Sequence, residues 1–218
     1  MDKKKITTVV FDMGQVLIHW NADQILSAYQ LTQEDSGLLM RELFNGVEWV
    51  QLDHGIISNE QVILQVCRRL PERLHLVVEQ IVSSWWHRLL VPMEGMADLV
   101  RELKGKGYGI YLLSNASVDL RRYFDRIPGS ECFDGLMVSA EEKMMKPHYE
   151  IFHALYRRFG LVPEESVFID DNAANVESAL CTGMNAIHFR GDTSRLRKEL
   201  RELRIDVAEA TAPQGRSV

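Results

Sequence analysis

The sequence predicts an α/β fold: a parallel sheet with crossover helices, interrupted after its first strand by an all-helical insert. Three observations predict it. Five short apolar runs, at 6–11 (ITTVVF), 108–113 (YGIYLL), 135–138 (GLMV), 166–170 (SVFID) and 185–189 (NAIHF), lack period-two alternation, as strands covered on both faces do. Helix-period segments near 94–105, 117–126, 148–160, 172–182 and 192–204 alternate with them, the pattern of strand–helix–strand units. Between about 19 and 88 the rhythm stops, and helical periodicity continues without a strand.

The first run, "VVFDMGQVL" (9–17), places Asp12 where a buried strand ends and Gly14 two residues later. In the insert, Ser58 with Gln61 fits a capping box that opens the helix "NEQVILQVCRRL", and Pro71 stops it. The run "LHLVVEQIVSSWWHRLL" (74–90) reads as a second long apolar helix, with Trp85 and Trp86 packing the insert on the core. The segment near 94–105 stops in the breaker-rich "KGKGYG". The expected division is a core of 1–18 plus 89–206, an insert of 19–88, and a small, polar tail, 207–218, expected to be disordered.

Composition narrows the function. The chain has 218 residues, 46% hydrophobic and 26% charged, with a net charge of -6, which argues against nucleic acid or an anionic membrane as the main partner. The three cysteines, Cys67, Cys132 and Cys181, show no metal-like spacing and suggest a reducing compartment. Lys3, Lys4 and Lys5 precede an apolar run too short for a signal peptide, so a cytoplasmic location is expected.

In an open parallel sheet, ligands bind beyond the carboxyl ends of the strands. The first strand ends at Asp12, the second at Ser114 and Asn115, and the fourth at Asp170 and Asp171, while the loop after the third carries Lys146. Carboxylates, a hydroxyl, an amide and an ammonium thus converge on one crevice. That inventory suits phosphoryl transfer: hard oxygens hold Mg²⁺, an Asp can be a covalent nucleophile, and a lysine supplies a compact positive charge.

"VVFDMGQVL", "LLSNAS", "MKPHYEIF" and "VFIDDNAANVESA" together resemble the four ordered motifs of the haloacid dehalogenase superfamily. "FD-x-G-x-V", "HGIIS" and "DDNAANV" look most like a bacterial branch of small sugar-phosphate phosphatases, which includes the α-glucose-1-phosphate phosphatases. The resemblance implies a Rossmann-like core with a C1-type helical cap. It implies a Mg²⁺-dependent phosphatase of a small phosphorylated metabolite such as a sugar phosphate, acting through an aspartyl-phosphate. It makes Asp12 the nucleophile and a metal ligand, Asp171 a direct metal ligand, and Asp170 a ligand or its neighbour. The Gly14 carbonyl completes the metal set, Ser114 and Asn115 hold the phosphate, Lys146 is the motif-three lysine, and Asn175 orients the cluster.

The chain departs from the family pattern at three positions. Most phosphatases of the superfamily carry a second Asp, the general acid and base, where this chain has Gly14. A positioned acid or base is worth roughly 10²–10⁴-fold in rate, and His19 and His54 are candidates by chemistry to replace it. Relatives often place Gly three residues before the lysine and Asp after the proline, where this chain has Lys143 and His148. Two other readings stand beside the phosphatase. One is a metal-independent 2-haloacid dehalogenase, against which the acids at 170 and 171 count. The other is a non-catalytic phosphometabolite-binding or protein-interaction module that lost turnover with the acid at position 14.

Overall fold

The computed structural model describes residues 4–209. β1 (Thr8–Phe11) and a short β2 (Ile18–His19) come first. The insert then runs through α1 (Ala22–Ser27), α2 (Gln33–Leu39), a π-helical turn (Met40–Phe44), α3 (Val47–Asp53), α4 (Asn59–Cys67) and α5 (His75–Ser84) to β3 (Val91–Pro92). The core resumes with α6 (Met96–Gly105), β4 (Gly109–Ser114), α7 (Leu120–Tyr123), β5 (Gly135–Val138) and α8 (Ser139–Glu142). It ends with α9 (Tyr149–Phe159), β6 (Ser166–Asp170), α10 (Ala173–Cys181), β7 (Asn185–His188) and α11 (Thr193–Glu202).

The five longer strands form one parallel sheet in the order β5-β4-β1-β6-β7. β1 is central, so the chain leaves it toward β4 and β5, then crosses back to build β6 and β7 on its other side. The crevice at such a reversal lies beyond the carboxyl ends of the strands. Strand residues alternate between two covered faces, which is why the runs read as continuously apolar. Val10, Leu113, Met137 and Phe168 pack with Ile151, Phe152 and Leu155 of α9. Val9, Phe11, Ile110, Leu112 and Ile169 face the larger cluster, which includes α6, α11 and the insert.

β2 and β3 pair antiparallel, Ile18 with Pro92 and His19 with Val91, so the insert leaves and rejoins the core at one stem. The capping box at Ser58 and Gln61 is present. The long helix expected over 74–90 is shorter: α5 ends at Ser84, whose φ of -165° leaves the helical region, and Trp85–His87 form a 3₁₀ turn. Tertiary packing outweighs local periodicity at that point. The Trp86 ring stacks on Tyr123 of α7 at 4.8 Å and Trp85 meets the same ring edge-on at 5.5 Å, joining insert to core.

The expectation of a disordered tail from 207 is corrected for its first residues. Val207 is 4% exposed and the Ala208 amide donates to Glu102 Oε1 at 2.6 Å, because a carboxylate on α6 offers that backbone a partner. Residues 210–218 lie outside those described. Among the described residues, no helix is long and apolar enough to cross a membrane.

Candidate active site

Lys146 organises the site. Its ammonium donates to Asp12 Oδ1 at 2.7 Å, to Asp170 Oδ2 at 2.7 Å and to the Leu113 carbonyl at 2.9 Å, using all three of its hydrogens. Its side chain is only 1% exposed. The loop that carries it is tied to the end of β4 by a reciprocal pair: Asn115 Nδ2 donates to the Lys146 carbonyl at 2.9 Å, and the Lys146 amide donates to Asn115 Oδ1 at 2.9 Å. Three residues upstream, Lys143 takes φ +52°, in the left-handed region that glycine adopts most cheaply. That is the position where the family pattern has glycine.

Asp170 closes β6 with no exposed surface. Besides Lys146, its carboxylate accepts from the Asn172 amide at 2.7 Å and from Asn175 Nδ2 at 3.1 and 3.0 Å. Both of its oxygens are therefore occupied by donors, whereas Asp171 beside it is exposed. One carboxyl oxygen from each of Asp12, Asp170 and Asp171 lies within 4.8 Å of the others.

Burial and this crowding shift Asp12, Asp171 and Lys146 from their ordinary protonation ranges. Burial pushes Asp12 up to about 7; Lys146 opposes the shift and Asp170 adds to it. Partial burial and Asp170 raise Asp171. Burial by itself would lower Lys146, but Asp12 and Asp170 outweigh it and hold the ammonium above its ordinary value. Three carboxylates against one ammonium leave negative charge short of a counter-ion. An all-oxygen donor set of this kind fits a hard divalent cation such as Mg²⁺.

The site opens on a cavity of about 370 Å³ with two unlike halves. The core contributes Asp12, Met13, Gly14, Ser114, Asn115, Ala116, Ser117, Tyr123, Lys146, Asp171, Asn172 and Asn175. The insert contributes Trp20, Phe44, Trp49, Leu52, Val82 and Trp85, with Asp53 as its one acidic member. Of the residues singled out in the sequence, Asp12, Gly14, Ser114, Asn115, Lys146, Asp171 and Asn175 all line this cavity, and Asp170 lies immediately behind it.

His19 and His54 are not brought in. His19 is held in the stem opposite Val91, and the His54 ring bonds the Lys143 carbonyl at 3.0 Å, outside the cavity lining. Sequence reasoning missed Asp53 and the aromatic wall of Trp20, Phe44 and Trp49. The one available signal was the position of Asp53 directly before "HGIIS", a carboxylate at the end of a helix whose packing the sequence does not reveal.

Residues 6–183 match the family model of the haloacid dehalogenase-like hydrolases. The chain belongs to that family. Among curated proteins this hydrolase is similar to a sesquiterpene phosphatase of Aspergillus oryzae, 29% identical over 197 residues, covering 89% of this chain and 94% of the relative. It is also similar to a D-ribitol-5-phosphate phosphatase of Bacteroides thetaiotaomicron, 24% identical over 182 residues, covering 78% and 85% respectively. Its fold matches a haloacid dehalogenase family enzyme of Bacteroides thetaiotaomicron solved with magnesium and inorganic phosphate, at TM-score 0.66 and 22% identity, covering 88% of this chain and 98% of the other. An L-2-haloacid dehalogenase of Xanthobacter autotrophicus shares the fold at TM-score 0.59 and 18% identity, covering 83% and 76%.

Proposed function

We propose that this hydrolase is a magnesium-dependent phosphatase of a small phosphorylated metabolite, working through an aspartyl-phosphate on Asp12. The observation that carries the reading is the triangle of Asp12, Lys146 and Asp170, with both carboxylates 2.7 Å from one buried ammonium and Asp171 open beside them. A carboxylate held in this way, at the mouth of a cavity, is a fixed nucleophile rather than a solvated surface acid.

In this reading an Asp12 oxygen attacks phosphorus as the bond to the leaving oxygen breaks, and that oxygen takes up a proton. Water then attacks the aspartyl-phosphate, gives up a proton, and releases phosphate with Asp12 regenerated. Lys146 holds the attacking carboxylate and balances the incoming phosphoryl charge. Ser114 and the second amide hydrogen of Asn115 are the donors left for phosphate oxygens. Asp12, the Gly14 carbonyl and Asp171 would hold Mg²⁺, which when bound supplies positive charge against the transferring group. Asp170, its oxygens already engaged by Lys146, Asn172 and Asn175, fits the role of a positioning residue better than that of a ligand.

The insert serves as the cap and sets what the phosphate is attached to. Its contribution to the cavity is aromatic and aliphatic apart from Asp53, so it has little with which to pair the hydroxyls of a sugar. Buried hydroxyls without partners cost binding energy, while each buried methylene gains about 0.8 kcal/mol. The walls therefore favour an ester of an apolar alcohol, such as a prenyl or aryl phosphate, over the sugar phosphate that the motif resemblance implies. The sesquiterpene phosphatase among the relatives is consistent with that preference.

The test is turnover of a panel of prenyl, aryl and sugar phosphates with and without Mg²⁺, on wild type and on Asp12→Asn. Expected is Mg²⁺-dependent phosphate release that Asp12→Asn abolishes, with kcat/KM at least about tenfold higher for apolar esters, the worth of roughly two buried methylenes. Metal-independent halide release from 2-haloacids in place of phosphate release would overturn the phosphatase reading.

A further inference from the structure

Position 14 carries no side chain, and the core carboxyls beside Asp12 have other work: Asp170 is saturated by Lys146, Asn172 and Asn175, and Asp171 is assigned above to the metal. The cap places a carboxyl opposite. Asp53, the last residue of α3, lines the same cavity as Asp12, Lys146 and Asp171, and it is the acidic side chain of an otherwise apolar wall.

The segment Asp53–Gly55 meets the core at three successive residues. Ser139 Oγ donates to the Asp53 carbonyl, and the His54 ring bonds the Lys143 carbonyl at 3.0 Å. Gly55, at φ +72°, lies so close to α8 that a Cβ would stand 2.1 Å from the Ala140 carbonyl oxygen. The segment that receives these contacts, 139–143, leads directly to Lys146. The helix end bearing Asp53 and the loop bearing Lys146 are thus held in one frame.

The surroundings of Asp53 keep its proton on. Burial pushes the carboxyl up to about 8, with the Ser117 backbone amide offsetting part of the shift. The titratable and charged groups that face it are Tyr123 and Asp119 on the adjoining core segment, and Asp12, Lys146 and Asp171 across the cavity. Asp119 is itself engaged by Asn59 at 2.6 Å and Arg122 at 3.1 Å. Among the described residues, the ion pairs of this region run from Lys146 to Asp12 and Asp170 and from Arg122 to Asp119, and none reaches Asp53. A carboxyl protonated near neutrality inside a reaction cavity is a proton donor.

We propose that Asp53 is the general acid and base of this enzyme, acting from the cap in place of the side chain missing at position 14. As the Asp12–phosphorus bond forms and the bond to the leaving oxygen breaks, the Asp53 proton passes to that oxygen. The Asp53 carboxylate then takes a proton from the water that attacks the aspartyl-phosphate, so both side chains return to their starting states. This assignment rests on the phosphatase reading above.

The experiment uses two substrates, an alkyl phosphate with a poor leaving group and p-nitrophenyl phosphate, whose leaving group needs no proton. On Asp53→Asn, turnover of the alkyl ester is expected to fall by about 10²–10³-fold. With p-nitrophenyl phosphate the same variant should release a rapid burst of about one equivalent of nitrophenolate, then turn over slowly while the phosphoenzyme waits for a base. In wild type, kcat/KM for the alkyl ester should fall as pH rises through the range where Asp53 loses its proton. That limb needs no variant to observe, and it should be absent in Asp53→Asn. A Cβ at Gly14 meets only Trp20 Cβ, at an ordinary 3.7 Å, so a side chain can start there. Gly14→Asp in the Asp53→Asn background should recover alkyl-ester turnover at least about tenfold. Equal activity of wild type and Asp53→Asn on both esters would overturn the proposal. So would a uniform loss on both, with no burst and an unchanged pH profile, which would mark a structural role. Absence of Mg²⁺-dependent turnover of either ester by wild type would instead sink the phosphatase reading itself.

Discussion

Lys146 pairs one ammonium with two buried carboxylates, and each contact is short enough to be charge-assisted. Removing one partner of a buried ionic cluster leaves an uncompensated charge, which costs about 3–5 kcal/mol. Lys146→Met is therefore expected to lower the unfolding free energy of the metal-free protein by that amount in a denaturant titration near pH 8, with loss of turnover; a change under 1 kcal/mol would contradict the picture. Asp53 has the opposite character, because its folded carboxyl is raised from 3.8 to about 8. Between those values the folded state keeps a proton that the unfolded state has released, so stability falls as pH rises across the window. Asp53→Asn removes that titration. Its melting temperature, relative to wild type, is expected to improve steadily from pH 4 to pH 8, and parallel curves would show that Asp53 is not held protonated.

At the scale of elements, the decisive contact is between the end of α3 and the start of α8. The Asp53–Gly55 backbone lies against Ser139, Ala140 and Lys143, and the left-handed φ of Gly55 allows the approach. Gly55→Ala brings two penalties, roughly 1–2 kcal/mol for the left-handed conformation and a Cβ that cannot stand 2.1 Å from the Ala140 oxygen. The loop must move off the core, taking Asp53 with it. Expected is a fall in kcat well beyond the effect on KM for alkyl phosphates, while p-nitrophenyl phosphate still gives its burst; kinetics identical to wild type would show that this docking does not position the cap. The α5 end makes the same point structurally, since Trp85 and Trp86 leave the helix in order to pack on Tyr123.

At the scale of the whole molecule, the sheet order puts Asp12 at the centre, with Ser114 on one neighbouring strand and Asp170 on the other. The insert, joined to the core through one two-strand stem, covers that edge with an apolar wall. Negative charge at the carboxyl ends of the strands is thereby enclosed, and it is under-compensated without a cation. Chelation with EDTA is expected to abolish turnover and Mg²⁺ to restore it. Saturating Mg²⁺ at about 100 times its Kd should stabilise the fold by about 2.7 kcal/mol. Because Asp12 is raised to about 7 by burial, Mg²⁺ should bind more tightly as pH rises through that value and the carboxylate forms. Titration calorimetry that shows no Mg²⁺ binding, or binding that weakens over that range, would refute the assignment.

Asp12, Ser114, Asp170 and Asp171 were legible in the sequence because each ends an apolar run, and Lys146 because it sits in the loop that follows one. The α4 cap at Ser58 and Gln61 was legible from its local spacing. The separate roles of the site residues came only from the family resemblance, which left Asp170 as a ligand or its neighbour. Asp170 and Asp171 look equivalent as a dipeptide, and only the fold shows one saturated by Lys146, Asn172 and Asn175 and the other open. Asp53 had only its position before "HGIIS" to mark it, since the contacts that place it join residues 86 and 89 positions apart. Sequence by itself determined the α/β core and the polar residues gathered at the carboxyl ends of its strands, because these follow from short-range periodicity and residue type. Tertiary structure alone decided which acid is left open beside Asp12, which side chains the insert turns into the cavity and how the end of α3 is held against the core, because each depends on how separate elements dock.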